Sequence, residues 1–163
     1  LDYLDMERYA AEPDFQLAWR QFARACNHLL PDPPHEARAW IAAADEFDAG
    51  RLSVEELTAV REQMSDTFAA LFQAATIEGR AALSAAGHRL WPRLDPGGWH
   101  ETAWYFLNWC ATAGIEEAAL VELLRQSFGP FLAARGTSLR ELAQDTEPGA
   151  APDPARDFGS GSP

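Results

Sequence analysis

Apolar side chains recur along this chain at intervals of three and four residues, and no useful length of strict alternation occurs. The clearest run is Phe15, Ala18, Trp19, Phe22, Cys26, Leu29 and Leu30, which share one face of a rod with 3.6 residues per turn. It predicts an amphipathic helix ended by the PDPP of residues 31–34, because proline donates no hydrogen bond and disfavours helical geometry in the residue before it. A second face, Ala37, Trp40, Ile41, Ala44 and Phe47, predicts a helix from about His35 to Asp48. A third, Leu57, Val60, Met64, Phe68, Leu71, Phe72 and Ala75, predicts a long helix starting near Ser53.

The period weakens over residues 76–92, where Gly79 and Gly87 permit a kink or a new helix before Pro92. RLDPGG, residues 93–98, reads as a turn. The next stretch, WHETAWYFLNWCATAG over residues 99–114, is apolar almost all round, with Ala103, Phe106, Leu107 and Cys110 on one side and Trp104 and Trp109 on another. Such a helix is expected at the centre of a bundle. Gly114 closes it, residues 115–128 form a further amphipathic helix stopped by FGPF at 128–131, and Leu139 and Leu142 mark a last short turn. A short helix over residues 2–11 precedes them all.

The fold expected is all-α, a single-domain bundle of six to eight helices over residues 1–145, followed by a tail or linker at 146–163 rich in Pro, Gly, Ala and Ser. A chain of 163 residues is long enough for one domain that buries roughly two-thirds of its unfolded surface. Six Trp and nine Phe within a 47% hydrophobic composition rule out disorder of the main body.

Charge narrows the partners. Asp and Glu number 25 against 13 basic residues, every one of them arginine, for a net charge of −12. That balance repels phosphate backbones and anionic lipid, so neither nucleic acid nor a membrane surface is expected, and a basic protein partner is. The acid excess has a plainer reading as solubility. Cys26 and Cys110 lie on apolar stripes and read as buried free thiols of a reducing, cytoplasmic protein. No stretch approaches the roughly 20 apolar residues a membrane span needs, and no leader pattern opens the chain.

DEFDAGRLSVEEL, residues 45–57, resembles a calcium loop until its ligands are counted. With Gly50 at the sixth position, Asp45 falls at the first and Glu56 at the twelfth, but Phe47 and Ala49 occupy the third and fifth, where side-chain oxygens are required. The same letters describe a helix-to-helix corner. Gly50 ends one helix in the left-handed region, and Ser53 with Glu56 forms a capping box that starts the next. Asp45, Glu46, Asp48, Glu55 and Glu56 crowd this corner against Arg51 alone. They read either as a solvated corner or as a docking patch for a basic protein, with Trp99 and Trp104 as partly exposed anchors.

Catalytic signatures are missing. There is no G-x-S-x-G elbow, phosphate-cradling glycine loop or C-x-x-C, and His100-Glu101 lacks the second histidine of HExxH. Cys26 and His28 point to different sides of one helix, and no cofactor or metal is expected. Glu55/Glu56 and Glu116/Glu117 are adjacent pairs that diverge around a helix. The alternative to a binding domain is a metal-dependent bundle enzyme with a site near His100 and Glu101. An acidic mimic of DNA is a weaker third reading, since Ala and apolar residues interrupt the carboxylates.

Residues 22–64, FARACNHLLPDPPHEARAWIAAADEFDAGRLSVEELTAVREQM, resemble immunity proteins of bacterial polymorphic toxin systems and related helical bacterial domains common in planctomycete-like genomes. The shared pattern is a helix with A-x-x-C ending in Leu and Pro, an Arg-Ala helix, a glycine corner, and an acidic start to a long Ala-rich helix. LLRQSFGPF at 123–131 is similar to the L-L-R-x-I-F-G-N-P-F of the latter group, without the Asn. The resemblance covers about a third of the chain and implies neutralisation of a basic toxin by binding. It assigns no site residues.

Overall fold

The computed structural model describes residues 9–93, 95 and 98–135. They form six helices and, among the described residues, no strand: α1 (Pro13–His28), α2 (His35–Asp48), α3 (Val54–Ala74), α4 (Ile77–His88), α5 (Trp99–Thr112) and α6 (Glu117–Ala133). The all-α bundle expected from the periodicity is present. Tyr9 and Ala10 are helical and Ala11 is a turn; residues 2–8 of the helix expected at 2–11, residues 94, 96 and 97 of the expected 93–98 turn, the turn at Leu139 and Leu142 and the tail from 146 lie outside the described residues.

Local chemistry accounts for the boundaries. Pro13 opens α1 at a position whose N–H has no helical acceptor in any case, and Asp14 meets the positive end of the helix dipole. The α2–α3 corner is built as its letters predict. Gly50 has φ +70°, and Arg51 N–H reaches back to Glu46 C=O at 2.9 Å, closing α2 with a Schellman bond. Ser53 Oγ accepts from Glu56 N–H at 3.2 Å while Glu56 Oε2 accepts from Ser53 N–H at 2.7 Å, a complete capping box. Gly114, at φ +99°, closes α5 in the same manner, with Ile115 N–H on Cys110 C=O at 3.0 Å.

The buried faces of α1 and α2 match their periodicity, with one exception. Leu29, the residue that caps α1 after His28, is 48% exposed.

Two expectations about helices are corrected. The central element is α4, not α5. Every residue from Ala81 to Gly87 is buried, and α4 touches α1, α2, α3 and α5, whereas α5 leaves Trp104 and Tyr105 exposed. The interior of α4 is Ala, Leu, Ser and Gly, so its period is faint in hydrophobicity although its side chains are small enough to admit helices on several sides. Gly87 shows the closeness of this packing: a Cβ there would lie 2.8 Å from Met64 Sδ of α3.

α6, in turn, runs through Gly129-Pro130 to Ala133 instead of stopping at Phe128. The hydrogen bond that Pro130 forfeits is outweighed by tertiary burial. Phe128, Phe131 and Leu132 are all buried, and α6 makes the most extensive helix pairing in the fold with α1. Phe15 of α1 meets Phe128 at 5.3 Å and Phe131 at 5.5 Å between ring centroids, contacts worth about 0.5–1.5 kcal/mol each beyond area burial. Arg135 then ion-pairs with Glu12 and lies over the Phe131 ring at 3.7 Å, which fastens the end of α6 to the start of α1.

Candidate functional site

The five acids of the corner do not act as one patch. Asp45 and Asp48, one turn apart on α2, turn toward the bundle. Arg89, which follows α4 and is only 3% exposed, gives Nη2 to Asp48 Oδ2 at 2.5 Å and to Asp45 Oδ1 at 2.8 Å. Arg20 of α1 gives Nε to Asp48 Oδ1 at 2.5 Å and Nη1 to the Trp91 carbonyl at 2.9 Å. Arg24 and His28, further along α1, reach Asp45 at 3.3 and 2.9 Å. The two aspartates thus tie α2 to α1 and to the end of α4.

The remaining three face outward. Glu46 forms a two-pronged pair with Arg51, Nε to Oε2 at 2.5 Å and Nη2 to Oε1 at 2.7 Å. Those hydrogen bonds lower the Glu46 pKa and raise that of Arg51, while the solvent around both side chains keeps such a pair weak. Glu56 is engaged in the capping box. Glu55 is exposed in the first turn of α3. The calcium geometry finds no support in these contacts, since Asp45 faces three basic side chains and Glu56 accepts from the Ser53 backbone N–H.

The two tryptophans also part company. Trp104 is 54% exposed. Trp99, expected to be partly exposed, is 9% exposed, enclosed edge-on by Phe15 at 5.2 Å and Trp19 at 6.1 Å. Five residues separate the two along α5, which turns them to different sides of the helix. On the outer side, Trp104 meets Tyr105 edge-on at 5.1 Å, and Tyr105 stacks on Trp109 at 6.1 Å. Glu101 and Asn108 are exposed on the same face, one turn to either side. The result is a short ladder of aromatic rings open to solvent and headed by a carboxylate.

A metal centre near His100 and Glu101 would need converging ligands. The side chain of His100 lies outside the described residues, and Glu101 points to solvent. Among the described residues no three His, Cys, Asp or Glu side chains gather closely enough to hold an ion, and no helix is long and apolar enough to cross a membrane. Cys26 and Cys110 are free and buried, as their stripes predict; they lie in contact, and the Cys26 thiol beside it, together with burial, pushes the Cys110 thiol pKa far up. Such thiols are inert as nucleophiles.

The sequence reading missed Arg20 and Arg89, the two residues around which the aspartates are organised. The available signal was slight: an arginine two residues past the small-residue run of α4 and just before Leu90. Comparisons with protein-family models, curated proteins and solved structures find no match to this chain.

Proposed function

We propose that this chain is a non-enzymatic binding domain for a basic protein, acting as an immunity or defence-associated protein like those its residues 22–64 resemble. The observation that carries this reading is the uncovered aromatic ladder of α5. Trp and Tyr exposed side by side, with an acid one turn away, have the composition of an interface centre rather than of ordinary surface.

Charge supports the same reading from a second helix. α3 spans 21 residues, about 30 Å of rod, yet only Leu57 on it is fully buried. Its outer side exposes Glu55, Glu62 and Asp66 within one stripe. A cationic partner is drawn toward a surface of this kind, which accelerates encounter more than it tightens the complex. Residence time would be set by the rings.

A photo-crosslinking residue at position 105 of the full chain, expressed in its source cells, tests the proposal. The expected adduct is one basic protein. With that protein purified, association slows steeply as salt rises, and Trp104→Ala speeds dissociation about tenfold or more. An adduct only with a second copy of this chain, or a partner indifferent to both salt and Trp104→Ala, overturns it.

A further inference from the structure

Behind the aspartate pair lies a cavity of about 360 Å3, within the range of roughly 300–1,000 Å3 that small-molecule sites occupy. Arg20, Arg89 and Arg93 line it, with His88, Trp19 and Trp91. Three of the thirteen basic residues of a strongly acidic chain therefore converge on one hollow. Asp95 also lines it.

The guanidiniums facing this cavity are incompletely satisfied. Arg89 spends Nη2 on Asp45 and Asp48, but its Nε and Nη1 have no partner although both are buried. Arg20 likewise leaves Nη2 buried and unpaired. A buried charged donor without an acceptor carries its full desolvation penalty. The aspartates offset charge without meeting these donors. Arg20, Arg89 and Arg93 at the cavity stand against Asp95 beside them and against Asp45 and Asp48, which pair with the first two, so the charges balance and what is left over is donor capacity on Arg20 and Arg89. His88 adds no charge near neutral pH, because burial and the nearby Arg20 lower its pKa to about 4.

We propose that this cavity is a binding site for a small oxyanion, a carboxylate or phosphate group carried on a flat apolar body. The oxygens take the unpaired N–H groups of Arg89 and Arg20, and the body lies against Trp19 and Trp91. The asymmetry of the site favours an acidic ligand over a neutral one, since its free groups are donors on cations and charge-assisted bonds are the stronger kind. Arg20, Arg89, Asp45 and Asp48 hold one another in position before the ligand arrives.

All three free nitrogens are closed off from solvent in this state, so the cavity wall shifts when an oxygen is seated. Trp91 in that wall is 54% exposed, with Arg61 over its outer face 4.3 Å from the ring. The site is independent of the aromatic ladder of α5, and its failure would leave the protein-binding reading intact.

Titration calorimetry of the full chain with benzoate, phenyl phosphate and uncharged benzamide is the test. Saturable one-to-one binding of benzoate or phenyl phosphate is expected, about tenfold or more tighter than benzamide, and the stronger of the two identifies the group. Arg89→Lys, which keeps the charge but loses the planar donors, is expected to weaken it by a similar factor. Where Arg89→Lys fails to fold, Trp91→Ala at the half-exposed wall provides the same reading through loss of the ring contact. No saturable binding of either anion, equal binding of benzamide, or anion affinity unchanged in a folded variant overturns the proposal.

Discussion

Asp48 at the end of α2 and Arg89, 41 residues further along the chain, are joined at 2.5 Å in a place where the arginine side chain is 2% exposed. The carboxylate also receives Arg20 from α1 at 2.5 Å. One acid thereby answers two guanidiniums that burial has separated from water. It is a structural acid, although Glu46, two residues before it, is a surface acid.

Asp48→Ala is accordingly expected to lower stability by about 3–5 kcal/mol, since it strands buried charge. Glu55→Ser, five residues beyond Gly50, is expected to stay within about 0.5 kcal/mol of the parent. Urea denaturation of the two variants checks this. A similar small loss in both would mean that water reaches the Arg89 guanidinium.

Trp99 and Trp104 are expected to differ in the same way. Trp99→Ala removes a ring packed against Phe15 and Trp19 and should cost about 3–5 kcal/mol. Trp104→Ala removes an exposed ring and should change the melting temperature little. Differential scanning calorimetry distinguishes them.

His88 predicts a pH dependence. Its ring is packed against Trp19, Phe106 and Trp109, and its pKa in the fold is lowered from 6.5 to about 4 by burial and by Arg20. Between those two values the unfolded chain takes up a proton that the folded chain refuses, so stability falls as pH drops through this window and levels off below it. The His88→Leu variant should lack this component. The measurement is the denaturation midpoint of both proteins from pH 7 to 4; parallel curves would refute the assignment.

The α2–α3 corner offers a local test. Ser53→Ala breaks one arm of the capping box and should cost about 1 kcal/mol. Gly50→Ala, at φ +70° where an added Cβ would meet nothing within 4 Å, should cost about 1–2 kcal/mol from backbone strain alone. Gly50→Asn should recover much of that loss, because asparagine tolerates this region better.

What the sequence disclosed followed bulk and punctuation. α1 and α2 carry large aromatic and aliphatic residues at helical spacing, and the corner between α2 and α3 carries its cap letters, so both were legible. α4 was not, because alanine, serine and glycine give little hydrophobic contrast even where burial is complete. The continuation of α6 past Pro130 depends on Phe15 and Tyr9, more than a hundred residues away, which a local rule about proline cannot contain. The inward turn of Asp45 and Asp48 was hidden for a related reason. Their partners, Arg20 and Arg89, lie on other helices, and a carboxylate that finds a distant guanidinium is spelled like one that finds water.

The slender make-up of α4 inverts the usual tolerance map of a small domain. Its neighbours approach so near that a methyl group at Gly87 would crowd Met64 Sδ at 2.8 Å, and a leucine or valine at Ala85 or Ala86, both fully buried, would have to displace the packing around it. Laboratory evolution of this molecule should therefore accept bulky exchanges along the outside of α3 and α5 while discarding even modest enlargements along the bundle axis.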